Sequence, residues 1–234
     1  MEVIKKENII NEDHEIIDYH QLRRIINSKI EECICRIKQE INNNGKIILK
    51  TGTGFFCNIP LKNIKIFITN NHVLNEEFLN KEKKIIIFFE QKKEEINLEL
   101  ERFKLTDKDL DFTIIEILEE DKIKNFLEID EYINSEEYKE NQIFSIQYPR
   151  GEKLKYSHGK IINKKDIYFQ YSLGTDNGSS GSPIILIDNL KLIGFHKGKY
   201  ETQKKDKIGK GIPMNLIINK INFIKCFFIF KKKM

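Results

Sequence analysis

From Lys46 to Pro213 the chain is written in short apolar runs separated by turn or charged residues, a spacing suited to strands and too short for helices. Six runs come first: Ile47–Leu49, Gly54–Cys57, Ile64–Thr69, Lys84–Phe89, Leu98–Phe103 and Phe112–Ile117. An acidic, polar stretch from Glu119 to Lys139 follows, with Phe126-Leu127-Glu128-Ile129 inside it. Six more runs come after: Ile143–Tyr148, Tyr156–Ile162, Ile167–Ser172, Ile184–Ile187, Leu192–His196 and Lys207–Pro213. This is the pattern of an all-β chain built as barrels, with six candidate strands on each side of a linker.

The two ends differ from this middle. Leu22, Ile26, Ile30, Cys33, Ile34, Ile37 and Ile41 recur at intervals of three and four, which predicts an amphipathic helix over Glu15–Ile41, stopped by Asn42-Asn43-Asn44-Gly45. Such a helix has two readings: a stripe packed on the barrels, or a partner-binding or inhibitory segment. After Pro213, the positions of Leu216, Ile217, Lys220, Ile221, Ile224 and Phe227/Phe228 predict a closing helix. The expected division is therefore an N-terminal polar and helical extension (1–44), a first β-barrel (45–118), an inter-barrel linker (119–139), a second β-barrel (140–213), and a C-terminal helix with a basic tail (214–234).

One loop carries candidate chemistry. Thr175-Asp176-Asn177-Gly178-Ser179-Ser180-Gly181-Ser182-Pro183 packs small residues into a tight turn before the apolar run Ile184–Ile187. Such a turn leaves a serine side chain exposed. The N–H groups of Gly178 and Ser180 would aim at one point, an arrangement that stabilises a developing oxyanion. Taken alone, the segment is also what a Ser/Gly loop between two strands looks like. A serine is a weak nucleophile at neutral pH and needs an imidazole to take its proton, and the imidazole needs a carboxylate to fix its tautomer. Ile66-Phe67-Ile68-Thr69-Asn70-Asn71-His72-Val73 ends an apolar run in a histidine, and Asp109-Leu110-Asp111-Phe112-Thr113-Ile114 opens another with an acid. His72, Asp111 and Ser180 are then the candidate base, orienting acid and nucleophile, with Asp109 as the substitute for Asp111.

The order His, Asp, Ser belongs to the chymotrypsin-like arrangement. With Thr-Asn-Asn-His-Val and Gly-Ser-Ser-Gly-Ser-Pro as its histidine and serine motifs, the chain resembles the trypsin/chymotrypsin-like serine proteases over about residues 45 to 228. In flavour it is closest to the glutamyl endopeptidases and HtrA-type peptidases. The resemblance implies two six-stranded antiparallel β-barrels, a site in the cleft between them, and endopeptidase chemistry through an acyl-enzyme. It also implies that Thr175, five residues before the nucleophile, and His196, on the following strand, line the pocket for the substrate's P1 side chain. An imidazole and a hydroxyl there suit Glu or Gln at P1, whereas His196 could equally cap a strand end. Trypsins carry an aspartate just before the nucleophile that pairs with a newly cut N-terminus. Ser179 stands there, so that switch is not expected. A protease fold that has lost its chemistry and serves as a binding or scaffold protein is the competing expectation.

Bulk properties narrow the partners. Forty basic against 36 acidic residues leave a net charge of only +4, too mild to imply nucleic acid. No apolar run approaches the ~18 residues of a membrane span. Nothing among His, Cys and Asp has metal-ligand spacing, and Gly52-Thr53-Gly54 lacks the lysine and helix of a phosphate loop, so neither metal nor cofactor is expected. The expected partner is a peptide or protein substrate. The first residues contain no apolar leader segment, and Cys33, Cys35, Cys57 and Cys226 form no disulfide-like pattern, which points to an intracellular protein.

Overall fold

The structure is a computed structural model that describes residues 26, 28–43, 46–59, 64–90, 92–130, 138–165, 167–200 and 208–233. Among the described residues there are fourteen strands, a one-turn helix α1 (Ser28–Glu31), a short helix α2 (Glu76–Lys81) and a closing helix α3 (Met214–Lys233).

The second half is a closed barrel of six antiparallel strands: β9 (Gln142–Gln147), β10 (Lys155–Lys165), β11 (Tyr168–Tyr171), β12 (Pro183–Leu186), β13 (Leu192–Tyr200) and β14 (Ile208–Pro213). Their order around the barrel is β10-β11-β14-β13-β12-β9. Each of the six predicted runs in this half lies on one of these strands.

The first half is a curled eight-stranded sheet and differs from the expected six-stranded barrel. Along it run β5 (Lys93–Asn97), β4 (Lys84–Phe88), β1 (Ile34–Asn43), β2 (Lys46–Ile59), β3 (Ile64–Thr69), β7 (Phe112–Glu116) and β6 (Lys104–Asp107), with the two-residue β8 (Leu127–Glu128) parallel to β2. Leu98–Phe103, expected as a strand, lies between β5 and β6, and its Arg102 is buried against Asp121. The charged β5, Lys-Glu-Glu-Ile-Asn, was hidden from hydrophobic patterning because only Ile96 faces the core.

The largest correction concerns the predicted helix over Glu15–Ile41. Residues 15–25 and 27 lie outside the described residues. Beyond them helix persists for one turn only, and from Ile34 the chain is strand. β1 pairs with β2 over ten residues, from Ile34↔Phe55 to Asn43↔Lys46. The spacing of Ile30, Ile34, Ile37 and Ile41 fits a helix, but a full ladder with β2 outweighs that local pattern. The overlooked signal is Asn44-Gly45 between two apolar runs, a dipeptide that favours two-residue hairpins.

Both faces of the central strands are buried, which explains why their sequences are continuous rather than alternating. Phe56, Phe67 and Ile115 point into the first half's own core. Their neighbours Phe55, Ile66, Ile68 and Ile114 point the other way, into a core shared with Phe144, Ile146, Ile185 and Phe195 of the barrel. Met214, Ile217 and Ile221 of α3 close that shared core. Linker residue Leu127 pairs with Cys57 of β2, and Ile129 bridges Leu192 of β13, so both halves are held on either side of one hydrophobic seam. Among the described residues no helix is long and apolar enough to cross a membrane, and Cys33, Cys35 and Cys57 are free and buried.

Candidate active site

β3 ends at Thr69, and the chain turns immediately: Val73 and Leu74 both donate their N–H to the Asn70 carbonyl, at 3.1 and 3.0 Å. The turn pushes His72 outward, with its side chain 47% exposed. Asp111, one residue before β7, is buried and takes a left-handed backbone conformation with φ of 58°. A non-glycine residue rarely sits there unless its surroundings hold it. Here three bonds do. The Asn70 amide donates to the Asp111 carbonyl at 2.9 Å, the His72 N–H donates to Asp111 Oδ1 at 2.9 Å, and His72 Nδ1 meets Asp111 Oδ2 at 2.8 Å. Asp109 contributes differently: its side chain is exposed, and its carbonyl accepts from Lys197 Nζ of β13 at 3.1 Å. Burial alone would raise the carboxyl of Asp107, the first acid of this turn, but the Leu110 N–H and the Lys220 ammonium of α3 bring it below its ordinary value.

The serine loop comes from the second half and is closed on itself. Asp176 N–H donates to Ser179 Oγ at 3.0 Å, and Ser179 N–H returns to the Asp176 carbonyl at 3.0 Å. Ser179 is fully buried in this role. Asn177 N–H donates to Asp176 Oδ1 at 2.8 Å, Gly181 N–H to the His196 carbonyl at 2.9 Å, and Ser182 N–H to the Ser179 carbonyl at 3.0 Å. Five of the seven amides from 176 to 182 are thereby used. Those of Gly178 and Ser180 donate to no acceptor among the described residues. Gly178 and Gly181 have φ of 88° and 85°, and a Cβ at Gly181 would lie 2.2 Å from the Thr53 carbonyl oxygen, so both positions require glycine.

Thr53 of β2 fastens this loop to the first half. Its N–H donates to the Ser180 carbonyl at 2.9 Å, its hydroxyl donates to the Gly178 carbonyl at 2.8 Å, and its own carbonyl accepts from Thr69 Oγ1 at 2.8 Å. Thr69 is three residues before His72, so one threonine ties the serine turn to the strand carrying the histidine. The sequence passed over Thr53, although glycines on both sides of it within a strand already signal a close backbone approach.

His196 and Thr175 are both buried. His196 Nδ1 is hydrogen-bonded to the Tyr171 hydroxyl across the barrel, and its main chain pairs with Ser182 and Gly181 on either side. Burial, reinforced by the charges of His72 and Lys199, lowers the His196 pKa to about 3, so the ring is neutral. Burial likewise raises the Tyr171 hydroxyl well above its ordinary value. Both partners are therefore neutral, and one hydrogen bond joins the Tyr171 hydroxyl to His196 Nδ1. Tyr171, invisible from motif spacing, holds the histidine ring in place.

The family model for the trypsin-like peptidase domain matches residues 52–195, more than half of the chain. No curated protein matches the sequence. Among solved structures, the serine endoprotease of Yersinia pestis superposes with a TM-score of 0.62 at 17% identity, over 89% of this chain and 67% of that one. The active form of the Rv3671c protease of Mycobacterium tuberculosis gives 0.62 at 15% identity, over 83% of this chain and 82% of that one. Its inactive form gives 0.58 at 14% identity, over 84% and 91%. At such identities the likeness is one of fold, and the fold is chymotrypsin-like.

Proposed function

We infer, from the premise that the chain belongs to the trypsin-like peptidase family, that it is a serine endopeptidase acting through Ser180, His72 and Asp111. The observation that carries this reading is the pair of amides left over in the serine loop. Every other N–H from 176 to 182 is used to shape the turn, and the unused ones are where an oxyanion would need its donors. In the proposed cycle His72 takes the Ser180 proton as Ser180 Oγ attacks the scissile carbonyl, while Gly178 and Ser180 N–H hold the oxyanion. His72 then gives the proton to the leaving amine, and water repeats the sequence on the acyl-enzyme. Asp111 keeps the histidine's Nδ1 protonated and its ring in place.

For P1 the reading is glutamine ahead of glutamate. In this reading the Tyr171 hydroxyl donates to His196 Nδ1, so the neutral ring offers Nε2–H and no charge, and Thr175 would add a hydroxyl. Such a pocket matches a carboxamide oxygen, whereas a carboxylate entering it would be desolvated without a counter-charge. Lys199 is exposed and Lys197 is engaged with the Asp109 carbonyl, so both stand as a surrounding field rather than as partners.

The test is cleavage of a mixed peptide library by wild type and Ser180→Ala, with new termini sequenced by mass spectrometry. Cleavage by wild type alone, with Gln and then Glu enriched before the cut, supports the reading. Equal cleavage by both proteins, or by neither, overturns it. Silence of both favours the binding-protein alternative.

A further inference from the structure

Gly178 can adopt either sign of φ, so the Asn177–Gly178 peptide can turn over at little intrinsic cost. Turned over, it would put the Asn177 carbonyl where the Gly178 N–H is needed. Within the serine loop no bond acts on that carbonyl. The restraint comes from outside: the Arg150 N–H donates to the Asn177 carbonyl. Arg150 lies in a one-turn 3-10 segment, Pro149–Gly151, with φ of 56°, and Gly151 follows at 67°. This turn and the loop touch main chain to main chain, since a Cβ on Gly178 would lie 2.7 Å from the Tyr148 carbonyl oxygen and 2.9 Å from Arg150 N. Arg150 Nε also pairs with Asp176 Oδ2 at 2.8 Å.

A non-glycine residue in the left-handed region, as Arg150 is, is an unstable basis for such a restraint unless the turn is itself held. Arg36 of β1 holds it. Its Nη1 donates to the Gly151 carbonyl at 3.0 Å and to the Glu152 carbonyl at 2.8 Å. Its guanidinium carbon lies 5.4 Å from the Phe88 ring centre and 5.7 Å from that of Tyr148. These bonds go to neutral main-chain oxygens, so they constrain backbone shape rather than balance charge. β1 reaches the histidine side too, where Gln39 Nε2 donates to the Val73 carbonyl at 2.8 Å.

We propose that Arg36 is a positioning residue for the oxyanion pocket: through the 149–152 turn it keeps the Asn177 carbonyl turned away and the Gly178 N–H available. The proposal rests on the oxyanion role given to Gly178 above. It also gives β1, the strand that sequence patterning took for helix, a part in the chemistry.

The experiment compares full-length wild type, Arg36→Gln, Arg36→Lys and, as a charge-matched control on the same strand, Lys38→Gln. Hydrogen exchange at the Arg150 amide and the 15N shift of Gly178 are read by NMR. The rates of labelling by a fluorophosphonate, and kcat and KM on a Gln-P1 peptide, are read beside them. Arg36→Gln is expected to speed Arg150 exchange at least about tenfold and to lower labelling and kcat by up to about 10²- to 10³-fold with little change in KM, because one oxyanion donor is lost. Arg36→Lys, able to reach one carbonyl but not both, should fall between, and it carries the test if Arg36→Gln does not fold. Lys38→Gln should match wild type. Unchanged Arg150 exchange and Gly178 shift in both Arg36 variants overturn the proposal, whatever the activity. Faster exchange in a protein whose wild type is already inert upholds the linkage and sinks the peptidase reading instead.

Discussion

One carboxylate serves His72 twice: Asp111 Oδ2 lies 2.8 Å from the ring Nδ1, and Asp111 Oδ1 accepts the same residue's backbone N–H at 2.9 Å. Ring orientation and main-chain position are therefore set together. Asp111→Asn should keep the fold and lower kcat by about 10³- to 10⁴-fold, since an amide cannot hold the required tautomer. Asp109→Asn should stay close to wild type, because Asp109 contributes its carbonyl to Lys197 rather than its carboxylate. Steady-state kinetics on one peptide separates the two. Comparable losses in both variants would contradict the assignment.

The Tyr171–His196 bond predicts a specificity change without a catalytic one. In Tyr171→Phe the imidazole loses its hydrogen-bond partner inside the barrel, and the Gln-over-Glu ratio of kcat/KM should fall by about tenfold or more. Measured on paired substrates above pH 5.5, where the Glu side chain is ionised, the wild-type ratio should be flat with pH. A ratio that shifted strongly between pH 6 and 8 would mean that His196 titrates there.

The same histidine makes stability depend on acid. Its ordinary value is 6.5 and burial lowers it to about 3 in the fold. Between these limits the unfolded chain holds a proton that the folded chain excludes. Stability is thus lost as pH falls from 6.5 toward 3, by up to about 1.4 kcal/mol per pH unit. His158 on β10, also lowered by burial, adds in the same direction. Urea titrations at several pH values should show a shallower acid slope for His196→Gln than for wild type, and equal slopes would contradict the buried neutral ring.

Arg102 and Asp121 pair at 2.8 Å with side-chain exposures of 0% and 3%, and Arg102 also donates to the Glu116 carbonyl. Asp121→Ala would leave a buried, unpaired guanidinium and should cost about 3–5 kcal/mol, read as a lower urea midpoint. Arg150–Asp176, whose Arg150 side chain is 70% exposed, should contribute far less to stability.

The second barrel was legible in sequence because Gly, Asn and charged residues punctuate every strand, and each apolar run is a strand. The first half was less so. β5 is charged on its open face, and β1 carries isoleucines at spacings that suit a helix as well as a strand, with the ladder to β2 deciding between them. The His72–Asp111 pair was legible from the two motifs that carry it, and it forms at 2.8 Å; the part proposed for Ser180 comes from the same order of motifs. Thr53, Tyr171, Arg150 and Arg36 were not. Their roles rest on main-chain carbonyls, amides and ring atoms supplied by distant segments, and Arg36 meets Glu152 only through a fold that brings residues 116 apart together.

The most direct measurement is labelling of wild type and Ser180→Ala with a fluorophosphonate, with the modified residue located by peptide mass spectrometry. The account predicts rapid, stoichiometric phosphonylation of Ser180 in wild type and none in Ser180→Ala. Label on another residue, or equal label in both proteins, would contradict it.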